Sequence, residues 1–170
     1  ETVAFMKFFT RALHKLRPNS RRGAQRNIHA HYDLGNDFYR LWLDPSMTYS
    51  SALFEGRGRN LEDAQENKYK ALAEQIGLSA DHHVLEIGCG WGGFAEYAAR
   101  HIGCQVTGIT ISREQLAFGQ KRIHECGLSD KVELKYCDYR DVEAQYDRVV
   151  SIEMFEAVGE TYWPVFFDKL

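Results

Sequence analysis

Hydrophobic residues recur along the chain with two different periods. Phe5, Phe8, Phe9, Ala12, Leu13 and Leu16 fall at helical spacing with Lys7, Arg11 and Lys15 between them, which predicts a helix over 3–17 that Pro18-Asn19-Ser20 ends. Leu61, Ala64, Tyr69, Leu72, Ala73 and Ile76 predict a second helix over 61–77, with Asn60 as its N-cap and Gly77 as its stop. From residue 83 onward short apolar runs take over. They predict strands over 83–87, 104–110, 132–137 and 146–152, with helices between them over 92–102 and from Ser112 to about Cys126. Strand and helix in alternation imply an α/β fold, a Rossmann-like doubly wound parallel sheet. Ligands of such sheets lie beyond the carboxyl ends of the strands. That rule gathers residues 88–93, 110–115, 138–139 and 153–156 around one cleft.

The first strand runs straight into glycines: Val84-Leu85-Glu86-Ile87-Gly88-Cys89-Gly90-Trp91-Gly92-Gly93-Phe94. Glycines at such a turn let the backbone bend tightly and come close to a ligand, and the helix behind them presents unpaired N–H groups. Two cofactor fingerprints overlap here. Gly88, Gly90 and Gly93 satisfy the dinucleotide pattern, whereas Glu86 followed by Gly88, Gly90 and Gly92 satisfies the loop of S-adenosylmethionine methyltransferases. A nicotinamide enzyme needs an acid about 20 residues past the glycines for the ribose. The second strand ends instead in Gly108-Ile109-Thr110-Ile111-Ser112, which disfavours that reading without excluding it. Asp138, just after the third strand, suits an acceptor for an adenine amino group.

Residues 29–49 are dense in aromatics, His and Asp but carry only a short helical period, Phe38-Leu41-Trp42. His29, His31 and Asp33 resemble metal ligands in type alone. Their clustering lacks a coordination spacing, so an aromatic cap over a ligand pocket is the better reading, and no metal is expected.

Composition narrows the class only a little. A chain of 170 residues suits one domain with a real core. Its net charge of −3 is uneven: residues 1–32 hold seven Lys/Arg against Glu1 alone, a net +6 that leaves −9 on the remainder. A basic front on an acidic body favours an anionic surface as partner, and no nucleic acid is expected. The 3–17 helix reads either as docked on the core or as lying on anionic lipid. Cys89, Cys104, Cys126 and Cys137 show no disulfide or zinc spacing and read as reduced thiols of a cytoplasmic protein. No apolar run reaches the roughly 20 residues of a membrane span, and no signal-peptide pattern opens the chain.

Several segments, taken jointly and in order, resemble the cyclopropane-fatty-acid synthase family, which includes the mycolic acid cyclopropane synthases. They are His31-Tyr32-Asp33-Leu34-Gly35-Asn36-Asp37-Phe38-Tyr39, Thr48-Tyr49-Ser50, the Leu85–Gly92 turn, Val106-Thr107-Gly108-Ile109-Thr110-Ile111-Ser112 with Gln115, and Asp147-Arg148-Val149-Val150-Ser151-Ile152 through Phe155-Glu156. The resemblance implies a class I methyltransferase sheet. It also implies methyl transfer from S-adenosylmethionine to the cis double bond of a phospholipid acyl chain, through a carbocation from which a bound bicarbonate removes a proton. It places cofactor contacts on Tyr49, Ser50, Gly88, Gly90, Ile111, Gln115 and Tyr139, to which the residue reading adds Glu86, Gly92, Thr110 and Asp138. Aromatic faces at Tyr32, Phe38, Tyr49 and Tyr139 suit a cation in a dry pocket.

The resemblance assigns the bicarbonate-holding glutamate to Glu156. Two departures stand beside it. The family's Tyr-Ser-Cys reads Tyr49-Ser50-Ser51, so Ser51 takes the place of a bicarbonate-contacting cysteine, and the family's Phe-Glu-His reads Phe155-Glu156-Ala157. Cyclopropane, methyl branch and methylene products all remain open, as do a soluble small-molecule acceptor and a non-catalytic cofactor-binding role. The expected organisation is a cap over 1–60 and a cofactor-binding core over 61–170, acting peripherally at a membrane, with a homodimer open. The later strands of such a sheet do not follow before Leu170, so the chain reads as a piece of a longer protein.

Overall fold

The computed structural model describes Gly23, residues 35–55 and residues 60–170. The 3–17 helix, the break at 18–20, His29, His31, Tyr32, Asp33 and the 56–59 loop lie outside them. The ordered elements are α1 (Gly35–Arg40), α2 (Leu61–Gln75), β1 (His83–Ile87), α3 (Gly93–Tyr97), β2 (Gln105–Thr110), α4 (Arg113–Glu125), β3 (Val132–Tyr136), β4 (Arg148–Val150) and α5 (Trp163–Phe167).

All strand pairs are parallel and the spatial order is β3-β2-β1-β4. The chain therefore steps outward from β1 to β3 and then returns to the far side of β1. The order reverses at the β1–β4 seam, where a parallel sheet leaves a crevice at its carboxyl edge. Parallel strands are covered on both faces and so need apolar residues on both. In β1, Val84 packs with Phe94, Ala95, Ala98, Val106, Ile123 and Leu134 on the face covered by α3 and α4. Leu85 and Ile87 pack on the other face with Ile109, Val158 and Phe166. Glu86 shares the Val84 side at the carboxyl end of β1, and it is almost wholly buried.

Helix starts follow local chemistry. The Asn60 side chain accepts from Asp63 N at 2.8 Å to open α2, and the Ser112 hydroxyl accepts from Gln115 N at 3.3 Å to open α4. The continuous helix expected over 92–102 is instead α3 followed by a π-turn, Ala98–Ile102, which Gly103 closes by donating to Ala98 O. The fourth strand is shorter than expected because side chains compete with the ladder at both ends. His83 N donates to the Asp147 carboxylate at 2.7 Å before it, and the Ser151 hydroxyl donates to Ile87 O at 3.1 Å after it.

A third apolar cluster seats the cap on the core. Tyr39 of α1, Met47 and Trp91 bury together with Leu43 and Phe118. Trp91 Nε1 donates to Asn36 Oδ1 at 2.7 Å, which ties α1 to the glycine turn. The Arg122 guanidinium, from α4, donates to Ser46 O at 2.5 Å and Trp91 O at 3.3 Å and to Pro45 O, and it pairs with Glu96 at 3.2 Å. One cation thus fixes the cap loop, the glycine turn and α3 together.

Candidate active site

A cavity of about 370 Å³ opens at the seam, lined from the ends of all four strands and from the cap. Its floor is the glycine turn. Gly88 N and Cys89 N both donate to Ile109 O, at 2.9 and 3.0 Å, so the chain doubles back over β2 as it leaves β1. Gly88 has φ +82°, and a Cβ there would lie 2.8 Å from Met154 Cγ. Gly90 has φ +53° with open space where its Cβ would be. One glycine thus lets the β4 end close in, and the other leaves room for a ligand against the backbone.

Of the expected cofactor residues, Tyr49, Ser50, Glu86, Gly88, Gly90, Thr110, Ile111, Gln115, Asp138 and Tyr139 all line this cavity. Gly92 does not; it is the N-cap of α3 and faces Leu134. Glu86 is the distinctive member. Burial pushes its carboxyl up to about 8, against a bond from Ala95 N–H that acts the other way. Its Oε2 is buried without a hydrogen-bond partner among the described residues, an arrangement that leaves it open to a cationic ligand group. Thr110 Oγ1 donates to Gln115 Oε1 at 3.1 Å and accepts from Ser112 N at 3.1 Å, which orients the Gln115 amide at the second strand end. The Asp138 carboxylate is held by Arg140 through Nε at 2.8 Å and a terminal nitrogen at 2.6 Å, and it caps the turn that carries Tyr139.

The cap supplies an aromatic wall. Tyr49 lies with its ring 5.5 Å from Tyr39 and 5.4 Å from Trp42. The Thr48 hydroxyl bonds the buried Tyr69 phenol, whose pKa burial raises. Together with the glycine turn these residues fit S-adenosylmethionine: a buried carboxyl with one oxygen unpartnered among the described residues for its ammonium, a Cβ-free turn, and polar groups at the second and third strand ends.

Neither of the two residues expected to do chemistry, Ser51 and Glu156, lines the cavity. Glu156 lies on an exposed 3₁₀ turn, Phe155–Ala157, and does not line the cavity. Ser51 N and Ser51 Oγ both donate to Glu153 Oε1, at 2.8 and 2.6 Å. Glu153 lines the cavity mouth with φ +47°, a left-handed conformation that strains a residue bearing a side chain. The Ser51 hydrogen bonds, with help from Lys68, hold its carboxyl below the usual range. Lys68 donates to Ser50 Oγ at 2.5 Å and Ser51 O at 2.8 Å. Burial pushes its ammonium down to about 8, with Glu153 and Asp44 opposing. Both Ser51 donors thus hold one carboxylate oxygen of the chain itself, so the position that the resemblance gives to bicarbonate faces an internal anion.

Sequence reasoning passed over Lys68, and it set Glu153 at the cleft without giving it a role. Lys68 reads as the polar side of a scaffold helix, and only the fold brings it to the cap. Glu153 did carry a signal, an acid directly after a buried strand, but Glu156 three residues on drew the assignment. Among the described residues no helix is long and apolar enough to cross a membrane.

A profile of the family described as mycolic acid cyclopropane synthetase matches residues 19–170. The chain is 43% identical over 156 residues to a probable fatty acid methyltransferase of Pseudomonas putida, covering 91% of this chain and 40% of that protein. It is 45% identical over 137 residues to the cyclopropane-fatty-acyl-phospholipid synthase of Escherichia coli K12, covering 81% of this chain and 35% of that one. Among solved structures, mycolic acid cyclopropane synthase CmaA1 complexed with SAH and CTAB superposes with a TM-score of 0.82 at 33% identity, over 85% of this chain and 51% of that one. The chain thus spans about two fifths or less of the length of these curated relatives.

Proposed function

The chain belongs to the mycolic acid cyclopropane synthetase family, and on that premise we propose that it carries the cofactor half of an enzyme that methylates unsaturated acyl lipid at a cis double bond, using S-adenosylmethionine. The observation that carries this reading is the buried Glu86 carboxyl, its Oε2 without a partner among the described residues, beside Gly88 and Gly90 on the floor of the cavity. When bound, the cofactor supplies a methyl group on a sulfonium sulfur that departs as a neutral thioether.

This chain's residues bind and shield. Glu86 receives the cofactor's ammonium and gives up a proton to do so. Gly88 and Gly90 let the main chain lie against the ligand, while Thr110, Ile111 and Gln115 with Asp138 and Tyr139 flank its nucleoside end. Tyr49 and Ser50 close the opposite side.

An alkene is a weak nucleophile, so its methylation leaves a carbocation that water would trap. Tyr49, backed by Tyr39 and Trp42, offers an aromatic face to a cation at the cavity wall. We place the reaction at a phospholipid surface on the cytoplasmic side, where the basic residues 1–32 meet anionic headgroups.

The test uses the complete gene product with vesicles of unsaturated or fully saturated phosphatidylglycerol and methyl-labelled cofactor. Label is expected in the unsaturated acyl chains alone. No incorporation into any lipid, with label passing to soluble acceptors instead, overturns the lipid reading.

A further inference from the structure

Residues 102 positions apart meet at the cavity mouth: Ser51 from the cap donates twice to Glu153 from the end of β4. The resemblance puts an external anion at Ser51, held by donors there. Here those donors are filled from within the chain. Two further features single out Glu153. Its backbone sits at φ +47°, a cost that persists only where the surroundings hold it. Lys68 braces the same loop through Ser50 Oγ and Ser51 O, placing a cation beside the carboxylate without bonding it directly.

We propose that the Glu153 carboxylate is the chain's own proton acceptor for the carbocation, standing where the family places bicarbonate, with Ser51 and Lys68 as positioning residues. This rests on the lipid-methylation reading above. After the alkene's π pair has formed the new carbon–carbon bond, the adjacent carbon is cationic. Ser51 engages Oε1, so Oε2 takes one proton, either from the new methyl, which sits on the carbon neighbouring the cationic centre, or from a chain carbon bonded to that centre. The C–H electron pair then either closes a three-membered ring, when the proton leaves the new methyl, or forms a double bond, when it leaves a chain carbon. Glu153 is exposed at its outer side and returns the proton to solvent, so no co-reactant is consumed. Glu156, outside the cavity, has no part in the step.

The experiment measures methyl incorporation by the complete gene product in buffer freed of carbon dioxide and in buffer with added bicarbonate, alongside cofactor affinity by calorimetry. The wild type is expected to turn over equally in both. Glu153→Gln is expected to lose at least ~100-fold in kcat, with KM and cofactor affinity held within about twofold. Added bicarbonate should restore part of the activity of Glu153→Gly, which a latch that merely tied the cap to β4 would not allow. A wild-type rate that collapses without bicarbonate, or a Glu153→Gln variant of undiminished kcat, overturns the inference and leaves lipid methylation standing. A wild type that methylates no lipid in either buffer overturns both.

Discussion

A single carboxyl, Glu86, sets the electrostatics of the cleft. It is neutral at pH 7 in the free chain because burial raises it to about 8. The titratable groups facing it, the Cys89 thiol and the Tyr69 phenol, are both pushed upward by burial and stay neutral over the same range. The sign follows. A carboxyl raised by folding contributes its full stability below the unfolded value, and that contribution is lost as pH climbs through about 8. The free chain therefore weakens with rising pH, by several kcal/mol if Glu86 acts alone. Cofactor binding runs the other way, since the ammonium needs the ionised form. Affinity should rise from pH 6 to 8 by up to about tenfold per pH unit and then level, with proton release visible by calorimetry in buffers of different ionisation enthalpy. Glu86→Gln should bind weakly at every pH and lose the slope. This acid was legible in the sequence because it stands two residues before the first glycine in a run that is otherwise apolar.

At the level of elements, the strands and the capped helices were legible because periodicity and capping chemistry act locally, as Asn60 and Ser112 illustrate. The short fourth strand and the π-turn after α3 were not. The strand depends on Asp147 reaching His83, a contact that exists only once the sheet has formed, while the π-turn rests on Gly103 N bonding Ala98 O, a one-residue change of turn that apolar periodicity does not resolve. The same holds for Arg122, which looks in sequence like one more surface charge on α4. Its guanidinium joins three segments at once, and a lysine cannot reproduce that fork. Arg122→Met should cost about 2–3 kcal/mol of stability, the order expected when hydrogen bonds to a charged group are removed. It should also weaken cofactor binding, because the cap loop and the Trp91 carbonyl lose their common anchor. Chemical denaturation and calorimetry on the same preparation check the pair of effects, and an unchanged affinity would show that the cap holds its place without Arg122, through contacts such as Trp91–Asn36 and Ser51–Glu153.

Across the whole molecule, the four-stranded sheet is a platform whose seam gathers residues far apart in the chain, from Met47 to Val158. A cleft at the carboxyl ends of the strands was foreseeable from the alternation of strand and helix. The cap's orientation was not, since it rests on contacts such as Tyr39 against Trp91 at 5.1 Å that no local pattern encodes. That contact also gives the molecule an optical consequence. Of its three tryptophans, Trp42 and Trp163 are 46% and 42% exposed, whereas Trp91 is 3% exposed and lines the cavity. Emission should therefore resolve into a red component that iodide quenches and a blue, shielded component from Trp91. Titration with cofactor should change the shielded component, and Trp91→Phe should abolish that response while sparing the quenchable one. The glycine turn carries its own fluorophore, so occupancy of the cleft can be followed by light alone.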